Sequence, residues 1–221
     1  MSSSIGSRIA KDALFDTFAQ VGAALSSGRR LEIVDVLAQA PRTVEEIADT
    51  LEQSVANTSH HLRRLARDGL VTYRRDGRHV VYELASDDVY RLWRALQDVG
   101  AAHHAGLPER AQAYVGDRDE IDTIDRGTLR KWLREGRDQV VVIDVRPEQE
   151  YSAGHIEGAI SAPPDRLDEV LPSLPARAGI VAYCRGRYCA YADQAVRRLR
   201  SEGRTAYRLE DGILEWKQPD S

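Results

Sequence analysis

Gly179-Ile180-Val181-Ala182-Tyr183-Cys184-Arg185-Gly186-Arg187-Tyr188-Cys189 reads as a short apolar strand entering a polar, cationic loop, with a helix-like run from Ala190 to Leu199 behind it. Strand, tight loop and helix form the repeating unit of an α/β domain. The loop holds the only two cysteines in the chain. A thiol at such a turn sits among backbone N–H groups aimed at one spot, with the positive end of a helix dipole behind them. Arg185 and Arg187 add positive charge. These conditions depress a cysteine pKa, so Cys184 is expected to be an ionised nucleophile. The plainer reading, two small buried hydrophobes, fits poorly with so polar a loop.

Outward from this loop the alternation continues. Val140-Val141-Val142-Ile143-Asp144-Val145 is a nearly continuous apolar strand of the kind buried on both faces of a parallel sheet. Thr128–Glu135 and Leu167–Leu171 read as helices and Ala206–Leu209 as a last strand. Gly116-Asp117-Arg118-Asp119-Glu120 is polar and unpatterned. It divides residues 1–116 from an α/β domain over residues 117–221.

The first part has a different rhythm: helices with one hairpin. Helices are expected over Asp12–Ser26 and Gly28–Ala40, the second stopped by Pro41. Thr43-Val44-Glu45-Glu46 is a capping box opening a helix through Leu51. Ser54 caps the next, which leaves at Asp68-Gly69. Asp76-Gly77 between two β-prone runs predicts a hairpin over Leu70–Leu84. A last helix starts near Ser86 with Leu92, Trp93, Leu96 and Val99 as its stripe, and continues, kinked at Pro108, to Tyr114. Helix, turn, helix, hairpin is the layout of a winged helix-turn-helix. In its second helix Val55, Leu62 and Leu65 are expected to face the core. That leaves Asn57, Thr58, Ser59, His60, His61, Arg63, Arg64 and Arg67 for solvent or DNA. Residues 56–80 hold six arginines against two aspartates, a locally positive face in a chain of net charge −4.

Length and composition restrict the remaining classes. A chain of 221 residues suits one or two domains, each with its own core. No apolar run reaches the roughly 18–20 residues that cross a bilayer, and the start lacks the apolar stretch of a signal peptide. A cytoplasmic protein without membrane contact is expected. In a reducing cytosol, two cysteines read as reactive thiols rather than a permanent cross-link.

The run from Ala56 to Val71, followed by Arg74-Arg75-Asp76-Gly77-Arg78-His79-Val80-Val81-Tyr82-Glu83-Leu84, resembles the ArsR/SmtB winged-helix repressors over roughly residues 20–100. The resemblance implies a homodimer, built mainly by the terminal helices, on an inverted-repeat operator in double-stranded DNA. It makes Arg63, Arg64, Arg75 and Arg78 candidates for phosphate contact and places Asn57, Ser59 and His61 near the bases. Metal-sensing members carry thiols at the recognition helix or ligands on the last helix. Here no cysteine lies in residues 1–183. Of Asp98, His103 and His104, the adjacent histidines on a helix diverge by about 100°, and no metal site is expected.

Asp144-Val145-Arg146, Tyr151, Gly154-His155-Ile156-Glu157-Gly158-Ala159-Ile160, Pro163, Tyr183-Cys184-Arg185 and Leu209–Trp216 resemble, in order, the rhodanese homology domain over roughly residues 122–218. This implies a rhodanese fold, a parallel sheet flanked by helices, with Cys184 accepting a sulfane sulfur as a persulfide. The donor would be small, such as thiosulfate or a persulfide, and no cofactor is implied. Amides of Arg185, Gly186, Arg187 and Tyr188 can hold the donor's charge. Asp144 and Arg146 read equally as a brace for the site or as a structural ion pair, and His155 as a structural turn residue. Phosphatases and arsenate reductases of this fold need a loop one residue longer that ends in arginine. Ala190 stands there, so that chemistry is disfavoured. Cys189 reads either as a resolving thiol, turning a Cys184 persulfide into a disulfide, or as a second small residue at the helix start.

The combination predicts a DNA-binding repressor whose operator affinity responds to sulfane sulfur. Two alternatives stand beside it: a sulfurtransferase with an accessory winged helix, and a catalytically idle rear domain that binds a partner.

Overall fold

The structure is a computed structural model describing residues 6–136 and 140–218. The chain divides after Ala102 into two compact units.

The front unit begins with α1 (Arg8–Leu25) and α2 (Gly28–Gln39), followed by β1 (Arg42–Thr43), α3 (Val44–Thr50) and α4 (Val55–Arg67). It ends with β2 (Val71–Asp76), β3 (His79–Leu84) and α5 (Asp87–His103). Helical spacing sets its core: Ile33, Val34, Val36 and Leu37 of α2 meet Ile47 of α3 and Leu62 and Leu65 of α4. The α3 capping box forms as expected, Glu46 N–H donating to Thr43 Oγ1 at 3.3 Å and Thr43 N–H to Glu46 Oε2 at 2.7 Å. Ser54 Oγ accepts from Asn57 N–H at 3.2 Å, satisfying one of the free amides at the start of α4.

The hairpin pairs Val71 with Leu84 through Asp76 with His79, so its two-residue loop is Gly77-Arg78, one position later than the Asp-Gly signal suggested. Gly77 has φ +60, the left-handed conformation that such a turn requires. The two-residue β1 joins β3, giving the strand order β1-β3-β2. It is too short to show a period and was invisible in the sequence. Trp93 Nε1 donates to Asp35 at 2.9 Å, fastening α5 to α2. The expected kinked helix is in fact two: α5 ends at His103, and Pro108 occupies the first turn of a separate α6 (Leu107–Val115). Proline at a helix start loses no hydrogen bond, whereas within a helix it would.

The rear unit holds α6, and then the polar stretch 116–120 that the sequence reading takes as the boundary. There follow β4 (Thr123–Ile124), α7 (Arg126–Arg134), β5 (Val140–Asp144), α8 (Glu148–Ala153), β6 (Ile160–Ser161) and α9 (Leu167–Val170). The last elements are β7 (Gly179–Tyr183), α10 (Tyr191–Ser201), β8 (Ala206–Leu209) and α11 (Ile213–Trp216). Among the described residues these strands form one parallel sheet of order β4-β8-β7-β5-β6. Its central strands are buried on both faces, as their unbroken apolar runs predicted. Val142, Val181 and Tyr183 pack with Leu129 and Ile213 on one face. Ile143, Ile180, Ala182 and Cys184 pack with Leu167, Ala195, Val196 and Leu199 on the other. The two-residue period of β7 thus puts Cys184 on the α9 and α10 face.

Candidate functional site

In the front unit, α4 and the hairpin present most of the expected polar face. Asn57, His60 and Arg63 are exposed, and Ser59 and His61 partly so. In the hairpin, Arg75 and Arg78 are exposed. Arg64 lies back along its helix against Asp68, 2.7 Å from Oδ2. Two positions differ from expectation. Thr58 is fully buried, its hydroxyl without a hydrogen-bond partner, and cannot reach DNA. Val55 is 45% exposed rather than in the core. Thr58 stands four residues before the buried Leu62 and so on its face, whereas Val55 is in the first turn, ahead of the core contact.

In the rear unit, the loop from Cys184 to Ala190 is clamped on every side. Arg185 turns its guanidinium to the wholly buried Glu150 of α8, with Nη2 2.5 Å from Oε1 and Nε 3.0 Å from Oε2. It neutralises that carboxylate instead of reaching into the loop. Gly186 has φ +134, a backbone conformation closed to other residues, and its carbonyl accepts from Cys189 N–H at 3.2 Å. Arg208 of β8 donates from Nη2 to the carbonyls of Gly186 (3.0 Å) and Arg187 (3.2 Å). Arg118 adds a second bond to the Arg187 carbonyl at 2.9 Å. Both arginines converge on Asp193, fully buried in the first turn of α10: Arg118 Nη2 lies 2.6 Å from Oδ2 and Arg208 Nε 3.2 Å from Oδ1. Gly212 completes the cradle, since a Cβ there would collide with the Arg185 carbonyl. Tyr188 is partly exposed at the loop's outer side.

Asp144 and Arg146 form a fully buried ion pair, Arg146 Nη2 standing 2.6 Å from Asp144 Oδ2 and 2.7 Å from the Gly154 carbonyl. The Tyr183 hydroxyl donates to Asp144 at 2.5 Å and accepts from Ile156 N–H at 3.0 Å. Burial and the Asp144 carboxylate push the Tyr183 phenol far above its ordinary pKa, so it remains a neutral donor. The pair therefore acts on the residue before Cys184 rather than on the thiol.

The thiols themselves reverse one expectation. Cys184 is only 2% exposed and lies within the apolar core beneath α10. Burial pushes its thiol above the usual cysteine value, against the lowering that the loop's charge suggested. Its S–H lies 3.6 Å from the Cys189 carbonyl oxygen. Cys189 is partly exposed. Its pKa is lowered, first by the hydrogen bond from Cys184 and then by the N–H groups of Arg185 and Tyr191, with Arg185 adding charge.

Sequence reasoning missed Glu150, Asp193, Arg208 and Arg118. One signal was available: Arg208 interrupts a strand, Ala206-Tyr207-Arg208-Leu209, that is otherwise suited to a sheet interior. A charge there must find a buried partner. The other three carry no local pattern.

Fold and site define a two-part protein, a winged helix-turn-helix joined to a rhodanese-like domain with a dithiol loop. Residues 27–73 match the model for bacterial regulatory proteins of the arsR family, and residues 126–219 that for the rhodanese-like domain. The HTH-type transcriptional regulator Rv0324 of Mycobacterium tuberculosis is 44% identical over 207 residues, covering 94% of this chain and 90% of the relative. The chain belongs to the ArsR family of transcriptional regulators, as a member with a carboxy-terminal rhodanese domain. A SmtB repressor homologue of Synechocystis is 38% identical over 80 residues, 36% of this chain and 61% of its own. Among solved structures, the homodimeric winged helix-turn-helix DNA-binding domain Mb0332 of Mycobacterium bovis (fragment 1–100) is 41% identical. It covers 47% of this chain and 94% of its own, with a TM-score of 0.43. Among the described residues no helix is long and apolar enough to cross a membrane.

Proposed function

We propose that this regulator binds an inverted-repeat operator as a homodimeric repressor, and that sulfane sulfur taken up by the Cys184–Cys189 loop changes its affinity for DNA. The observation that carries the reading is the loop: it holds both cysteines, with the Cys184 sulfur 3.6 Å from the Cys189 carbonyl oxygen, and charged residues hold the backbone around them. The front unit supports the DNA half with the exposed Asn57, His60, Arg63, Arg75 and Arg78. For dimerisation, Phe15, Phe18 and Leu14 of α1 and Leu92, Leu96 and Val99 of α5 expose apolar surface that a second copy would bury.

A path for coupling starts at Arg118. It holds the Arg187 carbonyl on one side and belongs, on the other, to the segment that follows α6. That segment is further tied to α10 by Arg197 on the Asp117 carbonyl and Arg200 on the Glu120 carbonyl. Rearrangement of the loop on sulfur uptake therefore acts on the chain leading back to the front unit. Coupling of this kind is typically worth about 1–3 kcal/mol, a fivefold to 150-fold change in affinity.

The test is a gel-shift titration on the protein's own promoter region, with and without a polysulfide donor, for the unaltered protein, Cys184→Ser and Cys189→Ser. The donor is expected to shift the unaltered protein's affinity and neither variant's. An unaltered protein indifferent to the donor ends the sensing reading. Rapid thiocyanate production from cyanide, insensitive to DNA, would move the protein to the sulfurtransferases.

A further inference from the structure

Tyr73 and Tyr82 face each other across the hairpin of the front unit. They are direct partners in the β2–β3 register, and their rings lie 5.8 Å apart, tilted by 49°. Opposed residues share one side of a sheet, and the two-residue period extends that side to Val71 and Arg75 on β2 and to Leu84 on β3. Val71 belongs to the same core as Leu62 and Leu65 of α4, and Tyr82 and Leu84 pack against it. This is therefore the side of the hairpin turned to the helices, and α4 packs on β2. Arg74, on the opposite side, pairs with Asp76 at 3.1 Å. Exposure along the inner side rises toward the turn: Val71 is 2% exposed, Tyr82 partly buried, and Tyr73 64% exposed. Tyr73 thus stands past the edge of the core, yet its ring is propped from behind by Tyr82. A tyrosine has two side-chain torsions, so a ring already propped gives up little further entropy on contact. Around it the charge is positive, with Arg75 two residues along the same side and Arg63 exposed on α4. Tyrosine hydroxyls are among the groups that hold phosphate oxygens in protein–DNA complexes.

We propose that Tyr73 is a DNA contact of this regulator, its hydroxyl donating a hydrogen bond to a backbone phosphate oxygen alongside Arg75. The inference rests on the reading of the front unit as a binder of double-stranded DNA, and it adds a contact of another kind. An arginine that meets a phosphate releases a condensed cation from the duplex, whereas an uncharged phenol releases none. Arginine contacts therefore weaken steeply as salt rises, and the tyrosine contact does not. A phosphate contact also carries no base preference, so the effect of Tyr73 belongs to affinity and register rather than to sequence.

The experiment is a salt titration of binding to a duplex from the protein's own promoter region, with the full unaltered chain, Tyr73→Phe and Arg75→Ala. Tyr73→Phe removes one oxygen and keeps the ring against Tyr82, so its unfolding midpoint should match that of the unaltered protein. It is expected to weaken binding by about tenfold, the effect of one hydrogen bond to a charged acceptor. The loss should be equal at every salt concentration, leaving the slope of log affinity against log salt unchanged. Arg75→Ala should lower that slope by about one. Phosphate ethylation supplies a direct readout: modification of the contacted phosphate should impair the unaltered protein and leave Tyr73→Phe no weaker. If Tyr73→Phe binds as tightly as the unaltered protein while Arg75→Ala is weakened, Tyr73 is off the DNA and the DNA reading stands. If Tyr73→Phe lowers the slope, the phenol acts only by placing an arginine, and the proposal is overturned. Ethylation interference that persists unchanged in Tyr73→Phe overturns it as well. If the unaltered protein binds no duplex even at low salt, both readings fall.

Discussion

The front and rear units use charge in opposite ways. Around α4 and the hairpin most arginines stand in solvent on long side chains, and the pair of Arg74 with Asp76 is exposed on both sides. Around the thiol loop, Asp144, Arg146, Glu150 and Asp193 have no exposure, and Arg208 has 2%. Exposed charges are screened by salt and hold little structure together, but they suit a large polyanion that supplies its own partners. Buried charges cost desolvation and survive only in networks of good geometry, so losing one member strands the others. The first arrangement is a surface awaiting contact. The second is a frame that fixes the backbone of the seven-residue loop holding both cysteines.

This contrast can be broken most easily at Asp144. Asp144→Ala takes from the buried Arg146 the carboxylate 2.6 Å from its Nη2 and removes the acceptor of the Tyr183 hydroxyl. A loss of about 3–5 kcal/mol in unfolding free energy is expected by chemical denaturation of the rear transition. A loss below about 1 kcal/mol would mean that the pair is dispensable, contrary to its burial. A smaller effect is expected from Arg118→Ala, because Arg118 is partly exposed and Arg208 still holds the loop carbonyls. Sulfur uptake should persist, while the donor-dependent shift in operator affinity falls toward zero. An intact shift would remove Arg118 from the path.

In the front unit, Arg63→Ala, Arg75→Ala and Arg78→Ala should each weaken operator binding. Each should lower the slope of log affinity against log salt by about one. Stability should stay within about 0.5 kcal/mol, as at exposed positions away from the core. An unchanged slope would place that arginine off the DNA. The least effect belongs to Thr58→Val. Removing an unpartnered buried hydroxyl at nearly constant shape should leave stability equal or slightly raised and operator affinity unchanged. Weakened DNA binding would mean that Thr58 faces the DNA after all.

A pH series separates the thiols. Because Cys189 is lowered and Cys184 raised, alkylation of Cys189 should rise with pH below the range of free cysteine, while Cys184 stays unreactive through that range. Two thiols titrating together near the free value would contradict the unequal pair.

Much of this architecture could be read from local patterns. The capping box at Thr43, the Asp68-Gly69 exit, the hairpin and the apolar runs of β5 and β7 are set by neighbours within a few residues, and each formed where the sequence placed it, or within one position. So were the recognition helix with its arginines and the loop with its thiols, because residue type and spacing alone announce them. Partners distant in the chain were not readable. Glu150 finds Arg185 across 35 residues, and Asp193 finds Arg118 across 75. No periodicity records such meetings, which follow from how helices pack on a parallel sheet. The same holds for the thiols. Spacing put both in one cationic loop, but their burial belongs to the packed core, where Cys184 is covered and Cys189 stays partly exposed. Position in the chain therefore established the chemistry available, and packing decided how deeply each sulfur is buried.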